Sequence, residues 1–281
     1  TSRPGQTSFS PATRAASSPA PVIPALPGHV RWATVPELAT AGIGADAFPG
    51  LTGRLRISAF AEASGHLYAA IGQQVWVRQD GTTPQWRRLY TNPSPHYSQT
   101  GLRGLTALAE PGKADVLLAA VEGNGARIVR IDPATGAETT DLDLAAFLDA
   151  AWGTRVSYVI AAYNDMPGLP HSGAGDDLAI GLEAYIPPTA PRPPGHTILN
   201  VINGLEGGAW LLIRHPGGRY VLHQVTARFP GIGQNLVAVR SIVPSPFSAE
   251  PGKIYVGGYD ANDTPAHDTA WIARGFLDRA R

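Results

Sequence analysis

The stretch between residues 56 and 90 reads RISAFAEASGHLYAAIGQQVWVRQDGTTPQWRRLY. It contains four short runs of apolar or alternating residues: Arg56–Ala61, His66–Ile71, Gln74–Arg78 and Trp86–Tyr90. The pairs Ser64-Gly65 and Asp80-Gly81 lie between runs, and both are typical of tight turns. The stretch therefore predicts four antiparallel strands joined by short connections.

The same arrangement recurs along the rest of the chain. A second group of runs contains Gly104–Ala109, Val116–Val121, Arg127–Ile131 and Thr139–Leu144. A third group crosses a proline-rich insertion at Pro187–Gly195 and contains Ser157–Tyr163, Leu178–Ile186, Ala209–His215 and Arg219–Val225. The fourth group is one strand short and contains Leu236–Val243, Lys253–Tyr259 and Thr269–Phe276. Helical spacing is clear in Asp143–Trp152, and Gly153 marks its end.

Serial groups of four strands predict an all-β protein, and a small β-propeller of four blades fits them best. The unassigned stretches Val35–Leu55 and Pro187–Val201 leave room for a fifth blade. We expect His29–Val35 (HVRWATV) to supply the missing strand and to close the ring. Residues 1–29 then form a Ser/Pro/Ala-rich linker and residues 30–281 the propeller domain. A β-sandwich is the competing fold.

One turn has a more specific pattern. The run Arg78–Trp86 (RQDGTTPQW) resembles the Asp-box of sialidase-like β-propellers, in which an Asp-x-Gly-x-Thr-x-x pattern ends in an aromatic residue. Here Asp80, Gly81, Thr83 and Trp86 stand close to the motif positions, with the glycine displaced by one. The resemblance covers one turn and implies a propeller blade. It does not imply sialidase activity.

Composition narrows the classes of partner. The 281 residues contain 22 basic and 22 acidic side chains and no cysteine. A neutral chain without a basic stripe is not expected to bind nucleic acid. No apolar run reaches the roughly 20 residues that cross a bilayer, so no membrane span is expected. The N-terminal linker is of the kind that follows an export signal, which predicts a secreted or cell-surface protein with the signal peptide removed.

The loops expected at one rim of the propeller carry the candidate catalytic residues His96, Arg103, Glu122 and Tyr259. Arg103 could hold a substrate carboxylate, with Tyr97 or His96 as the proton-transfer group. Glu122 paired with Asp260 could instead supply the acid and base of a glycosidase. An arginine that forms a salt bridge between blades is the alternative interpretation of Arg103.

One loop of the same rim is rich in metal-ligating residue types, namely Asp260, Asp263, His267 and Asp268. Oxygen ligands suit calcium, and histidine with carboxylates suits a transition metal, so the predicted cofactor is a divalent metal. Turn capping by the same aspartates is the simpler alternative.

By analogy with other propellers, a rim site of these residues predicts a secreted carbohydrate-directed enzyme, either a glycoside hydrolase or a polysaccharide lyase. The first alternative is a non-catalytic propeller that binds glycan or protein, such as a lectin or a surface interaction module. The second is a scaffold that binds calcium only for stability. An enzyme predicts a deep axial pocket, whereas a lectin predicts shallow sites between blades.

Overall fold

The predicted runs form strands in four antiparallel sheets, so the protein is all-β. The computed structural model describes residues 57–82, 84–93, 101–110, 112–123, 125–162, 166–169, 177–186, 200–202, 205–224, 236–245, 253–260 and 269–276. Side chains that alternate between buried and exposed along β1 give its inward face to the core, as the period of two predicts.

Sheets 1 and 2 are simple meanders in which each strand pairs with the next. Sheet 1 contains β1 (Ile57–Ala63), β2 (His66–Ile71), β3 (Gln74–Gln79) and β4 (Gln85–Thr91). Sheet 2 contains β5 (Leu102–Leu108), β6 (Val116–Val121), β7 (Arg127–Ile131) and β8 (Glu138–Asp143). The prediction of two four-stranded groups is confirmed.

Sheet 3 is more complex than its sequence suggests. Its strands are β9 (Tyr158–Ala161), β10 (Gly168–Leu169), β11 (Asp177–Ile186), β12 (Asn200–Ile202), β13 (Leu205–Arg214) and β14 (Tyr220–Gln224). The long strands β11 and β13 pair at the centre. The short strands β9 and β10 share the outer side of β11, and β12 and β14 share the outer side of β13. Both edges of this sheet are therefore divided.

Sheet 4 has three strands in the described residues, as the sequence predicts. They are β15 (Leu236–Pro244), β16 (Lys253–Asp260) and β17 (Thr269–Phe276), which pair in chain order. The contributions of Val35–Leu55 and His29–Val35 to the fold lie outside the described residues.

The predicted helix is present as α1 (Leu144–Trp152), between β8 and β9. The Asp143 carboxylate accepts from the backbone N–H of Ala146, which satisfies an otherwise open amide of the first turn. Gly153 ends the helix in the left-handed region at φ 64°. In the part of the chain that the structure describes, no helix has the length and apolar character to cross a membrane.

Consecutive sheets pack face to face and share hydrophobic cores. The core between sheets 1 and 2 includes Tyr68, Val77, Leu105 and Leu117. The core between sheets 2 and 3 encloses α1 and brings the ring centroids of Trp152 and Trp210 within 4.7 Å. A third core joins sheets 3 and 4 through residues that include Ile213, Val239 and Val256.

Sheets 1 and 2 carry β-bulges at equivalent positions. In the first strand of each, one extra residue interrupts the register, namely Ser58 in β1 and Arg103 in β5. In the fourth strand of each, the extra residue is Leu89 in β4 and Asp141 in β8. Sheet 4 repeats the first of these bulges at Val237. Because a bulge changes the direction of the strand and re-aims a side chain, this repetition indicates a recurring structural unit.

Candidate functional site

Two edges of sheets 1 and 2 carry groups of polar side chains. We call one the Gln73 edge, because the β2–β3 turn at Gly72 and Gln73 lies there with the start of β5. The backbone N–H of Leu102 donates to the Gly72 carbonyl at 2.9 Å and fixes this position. We call the other the Ser64 edge, after the β1–β2 turn, and it also contains the β3–β4 and β7–β8 turns.

Arg103 and Glu122 meet at the Gln73 edge. Arg103 is the extra residue of the β5 bulge, and its Nε donates to Glu122 Oε2 at 2.5 Å. The Glu122 side chain has 0% exposure and that of Arg103 has 12%. A buried carboxylate requires such a partner because an unpaired charge in the protein interior is very costly.

The backbone around this ion pair joins three sheets. The N–H of Glu122 donates to the Gly101 carbonyl at 3.0 Å, and Gly123 and Val159 exchange two hydrogen bonds of 2.9 Å. Val159 belongs to β9, so sheet 3 is attached at the residue that follows Glu122. The ion pair therefore lies where backbone hydrogen bonds connect sheet 2 to sheets 1 and 3. The Glu122 carboxylate has no exposed surface from which it could reach a substrate.

A second polar group runs from this edge to the start of β8 and connects sheets 1 and 2. Asn92 accepts from Arg127 at 2.7 Å and donates to the Gln73 side chain at 2.8 Å. Glu138 accepts from Arg127 at 3.2 Å and from the Tyr90 hydroxyl at 2.6 Å. Burial and the hydrogen bond to Glu138 raise the pKa of Tyr90, which keeps the phenol protonated. The side chains of this group therefore serve as hydrogen-bond donors and acceptors for one another.

Of the eight predicted site residues, the structure brings Arg103 and Glu122 together. His96, Asp263, His267 and Asp268 lie outside the described residues. Tyr259 and Asp260 end β16, where Asp260 pairs with both Leu236 and Thr269 in the sheet. No group of three His, Asp or Glu side chains among the described residues is placed to hold a metal ion. The metal loop stays a prediction.

An open cavity of about 450 Å³ lies at the opposite edge, where the β7–β8 turn of sheet 2 faces sheet 1. Its lining residues are Ser64, His66, Tyr68, Val77, Gln79, Asp80, Arg87, Pro133 and Ala134. The volume falls within the range of small-molecule sites. The cavity was not predicted from the sequence, because its lining combines strand and turn residues of sheet 1 with a turn of sheet 2.

Cross-strand pairing in sheet 1 places the cavity residues in one row. Tyr68 pairs with Val77, and Val77 pairs with Arg87, so the three side chains stand side by side on the same face. The Tyr68 hydroxyl also lies 3.4 Å from the Pro133 carbonyl, across the gap between the sheets. The pKa of Tyr68 is raised, and burial is the largest cause. The positive charge of Arg87 partly offsets this rise, and the negative charge of Asp132 adds to it.

The turn Asp132–Gly136 forms the far wall of the cavity. Asp132 Oδ1 accepts from the backbone N–H groups of Ala134 and Thr135 at 2.8 and 2.7 Å, and these hydrogen bonds lower its pKa. Gly136 has φ 76°, and a Cβ there would lie 2.1 Å from the Leu89 carbonyl oxygen. The turn thus presses against the β4 bulge. By contrast, Asp80 in the Asp-box-like turn forms an ion pair with Arg78.

A third polar cluster joins sheets 2 and 3. Arg214, 2% exposed, donates to Asp141 at 2.8 Å and to Glu110 at 3.3 Å. Arg130 donates to the same two carboxylates, and Tyr220 donates to Asp141 at 2.6 Å. Hydrogen bonds from Arg130 and Lys113 lower the pKa of Glu110 to about 2. Asp141 occupies the β8 bulge, which sequence periodicity could not reveal.

Comparison of the chain with protein-family models and with curated proteins finds no match. The geometry of these sites therefore carries the functional interpretation.

Proposed function

We propose that this protein is a non-catalytic, carbohydrate-binding protein of the β-propeller type, and that the cavity at the Ser64 edge is its binding site. The position of the cavity carries the proposal. It lies between adjacent sheets, where a lectin-like propeller is expected to bind, and its polar groups reach solvent.

The lining suits a ligand rich in hydroxyl groups. Ser64, Gln79 and His66 offer hydroxyl, amide and imidazole groups that both donate and accept hydrogen bonds. Val77 and Pro133 add an apolar wall against which the carbon face of a sugar ring can pack. A few placed polar groups on an apolar surface are typical of small-ligand sites.

The propeller architecture is part of the same proposal. Four sheets follow one another in chain order, each pair of neighbours shares a core, and the first-strand bulge recurs in sheets 1, 2 and 4. Such repetition is typical of blades. With three described strands, sheet 4 has room for a fourth, and His29–Val35 is the segment that we propose for it.

Catalysis at Arg103 and Glu122 is less well supported. The Glu122 carboxylate has no exposed surface, and the guanidinium that would bind a substrate carboxylate is already bonded to it. A substrate would have to break a buried ion pair, which carries a large free-energy cost. Binding without turnover therefore fits the geometry better than a hydrolase or a lyase.

The test is glycan binding by the purified protein, measured by calorimetry after a screen of immobilised glycans. Ala134→Leu narrows the cavity and should weaken binding by about tenfold or more, because the added side chain occupies ligand space. Ala137→Leu is the matched control, since Ala137 is exposed in the same region but does not line the cavity.

Bound glycans should be recovered uncleaved after long incubation. Release of reducing ends or of unsaturated products by the wild type, but not by Glu122→Gln, would replace the proposal with an enzyme at the Gln73 edge. Absence of any glycan binding would also overturn it.

A further inference from the structure

The acidic side chains around the cavity have hydrogen-bond or ion-pair partners among the described residues, whereas one basic side chain does not. Each acidic group already has donors: Asp80 pairs with Arg78, Asp132 accepts from two turn amides, and Asp115 accepts from the N–H and hydroxyl of Ser64 at 3.1 and 3.2 Å. Arg87 is different. Within the described ranges, its guanidinium has neither a hydrogen bond nor an ion pair.

The position of Arg87 makes this open charge relevant to a ligand. Its cross-strand partner is Val77, so its side chain leaves sheet 1 on the face that forms the cavity wall. The neighbouring Arg88 pairs with Trp76 and leaves on the opposite face. Arg87 also influences the ionisation of Tyr68, so its charge is felt at the buried hydroxyl of the cavity.

We propose that the ligand is an acidic carbohydrate whose anionic group, a carboxylate or a sulfate ester, is bound by Arg87. This inference rests on the proposed carbohydrate-binding function and adds the chemical class of the ligand. A planar guanidinium offers two parallel N–H donors that match the two oxygens of such a group. The sugar hydroxyls then face Ser64, His66 and Gln79, where neutral donors and acceptors are available.

Asp132 sets the orientation. Asp132 directly precedes the lining residues Pro133 and Ala134, and its negative charge acts on the Tyr68 hydroxyl, so an anion close to that wall would be repelled. The anionic group is therefore expected at the β4 side of the cavity, beside Arg87, with the uncharged part of the sugar towards Pro133.

Calorimetry with glucose, glucuronate and glucose 6-sulfate, or with oligosaccharides of the same three types, tests this inference on the full chain. The wild type should bind an acidic sugar about tenfold more tightly than the neutral one, the size expected for one partly exposed charge-assisted hydrogen-bond pair. The preferred acidic probe identifies whether a carboxylate or a sulfate is the natural group. The preference should shrink as salt concentration rises.

Arg87→Gln should abolish the preference, so that the acidic and the neutral sugars bind this variant with equal affinity. Arg87→Lys should restore part of it, because lysine keeps the charge but loses the two-pronged donor. Arg88→Gln removes the same charge from the opposite face and should retain the full preference. Melting curves of all variants report folding.

Carbohydrate binding and the acidic nature of the ligand can be disproved separately. Equal binding of neutral and acidic sugars, or a preference that survives Arg87→Gln, would overturn the acidic ligand but leave carbohydrate binding intact. Failure of every sugar to bind, with Ala134→Leu indistinguishable from wild type, would overturn both.

Discussion

The two edges of sheets 1 and 2 use similar residue types in opposite ways. In the network that begins at the Gln73 edge, Arg103 and Arg127 are bonded to the carboxylates of Glu122 and Glu138, and these four side chains are at most 20% exposed. At the Ser64 edge, carboxylates are satisfied locally and Arg87 faces a cavity. An arginine whose partner is supplied by the fold stabilises the fold. We propose that Arg87, for which the described residues provide no hydrogen-bond or ion-pair partner, binds a ligand instead.

The largest expected effect is a difference in unfolding free energy between a variant at the Gln73 edge and a variant at the Ser64 edge. Glu122→Ala removes the carboxylate that pairs with the mostly buried Arg103 guanidinium and should lower the free energy of unfolding by about 3–5 kcal/mol. Arg87→Gln changes an exposed side chain and should lower it by less than about 0.5 kcal/mol. Urea denaturation of both variants measures the difference. Equal losses would show that the contrast between the edges is wrong.

A smaller effect is expected where the cavity wall meets sheet 1. Gly136→Ala places a residue with a side chain in the left-handed backbone region and brings its Cβ against the Leu89 carbonyl. The variant should therefore lose about 1–3 kcal/mol of unfolding free energy. Gly112→Ala is the matched control, because Gly112 has φ 73° but open space around its Cβ position. If both variants lose the same unfolding free energy, the loss comes from the left-handed backbone alone, and the contact between the turn and the β4 bulge contributes nothing.

The smallest effect concerns the cluster that joins sheets 2 and 3. The pKa of Glu110 is lowered to about 2 from an ordinary value of 4.5. Its contribution is therefore fully present above its ordinary pKa and is lost as pH falls towards 2. Glu110→Gln should cost about 1 kcal/mol at pH 7, as for a partly exposed ion pair.

That stability difference between wild type and Glu110→Gln should shrink steadily between about pH 5 and pH 2. Chemical denaturation at several pH values measures it, with Glu62→Gln as a control for the loss of one exposed carboxylate outside the cluster. A difference that stays constant over this range would contradict the assigned role of Glu110.

The sequence predicted most of the strands because alternation and turn residues are local signals. The runs of sheets 1 and 2, the helix with its Gly153 end and the three strands of sheet 4 all agree with the structure. In sheet 3 the run Ser157–Tyr163 contains β9, but β10 and β12 were missed, since strands of two and three residues are too short to show a period. Tertiary pairing with β11 and β13 creates them.

The site was harder to predict than the strands. Arg103 and Glu122 were selected as catalytic, and their mutual ion pair follows from the β5 bulge, which has no sequence signal. Arg87 lies in β4 and belongs to no motif that would distinguish it in the sequence. Its relevance depends on a turn of another sheet, 46 residues away at Pro133, that completes the cavity. Such long-range contacts are not visible in a single sequence.

The divided edges of sheet 3 have a consequence for aggregation. A long, uninterrupted edge strand is a template on which another chain can add a strand of its own. The outer row of sheet 3 offers the short strands β12 and β14, of three and five residues, instead of one strand as long as β13. Each piece provides few consecutive N–H and C=O groups. The interruption therefore protects this side of the molecule from edge-to-edge association with other copies.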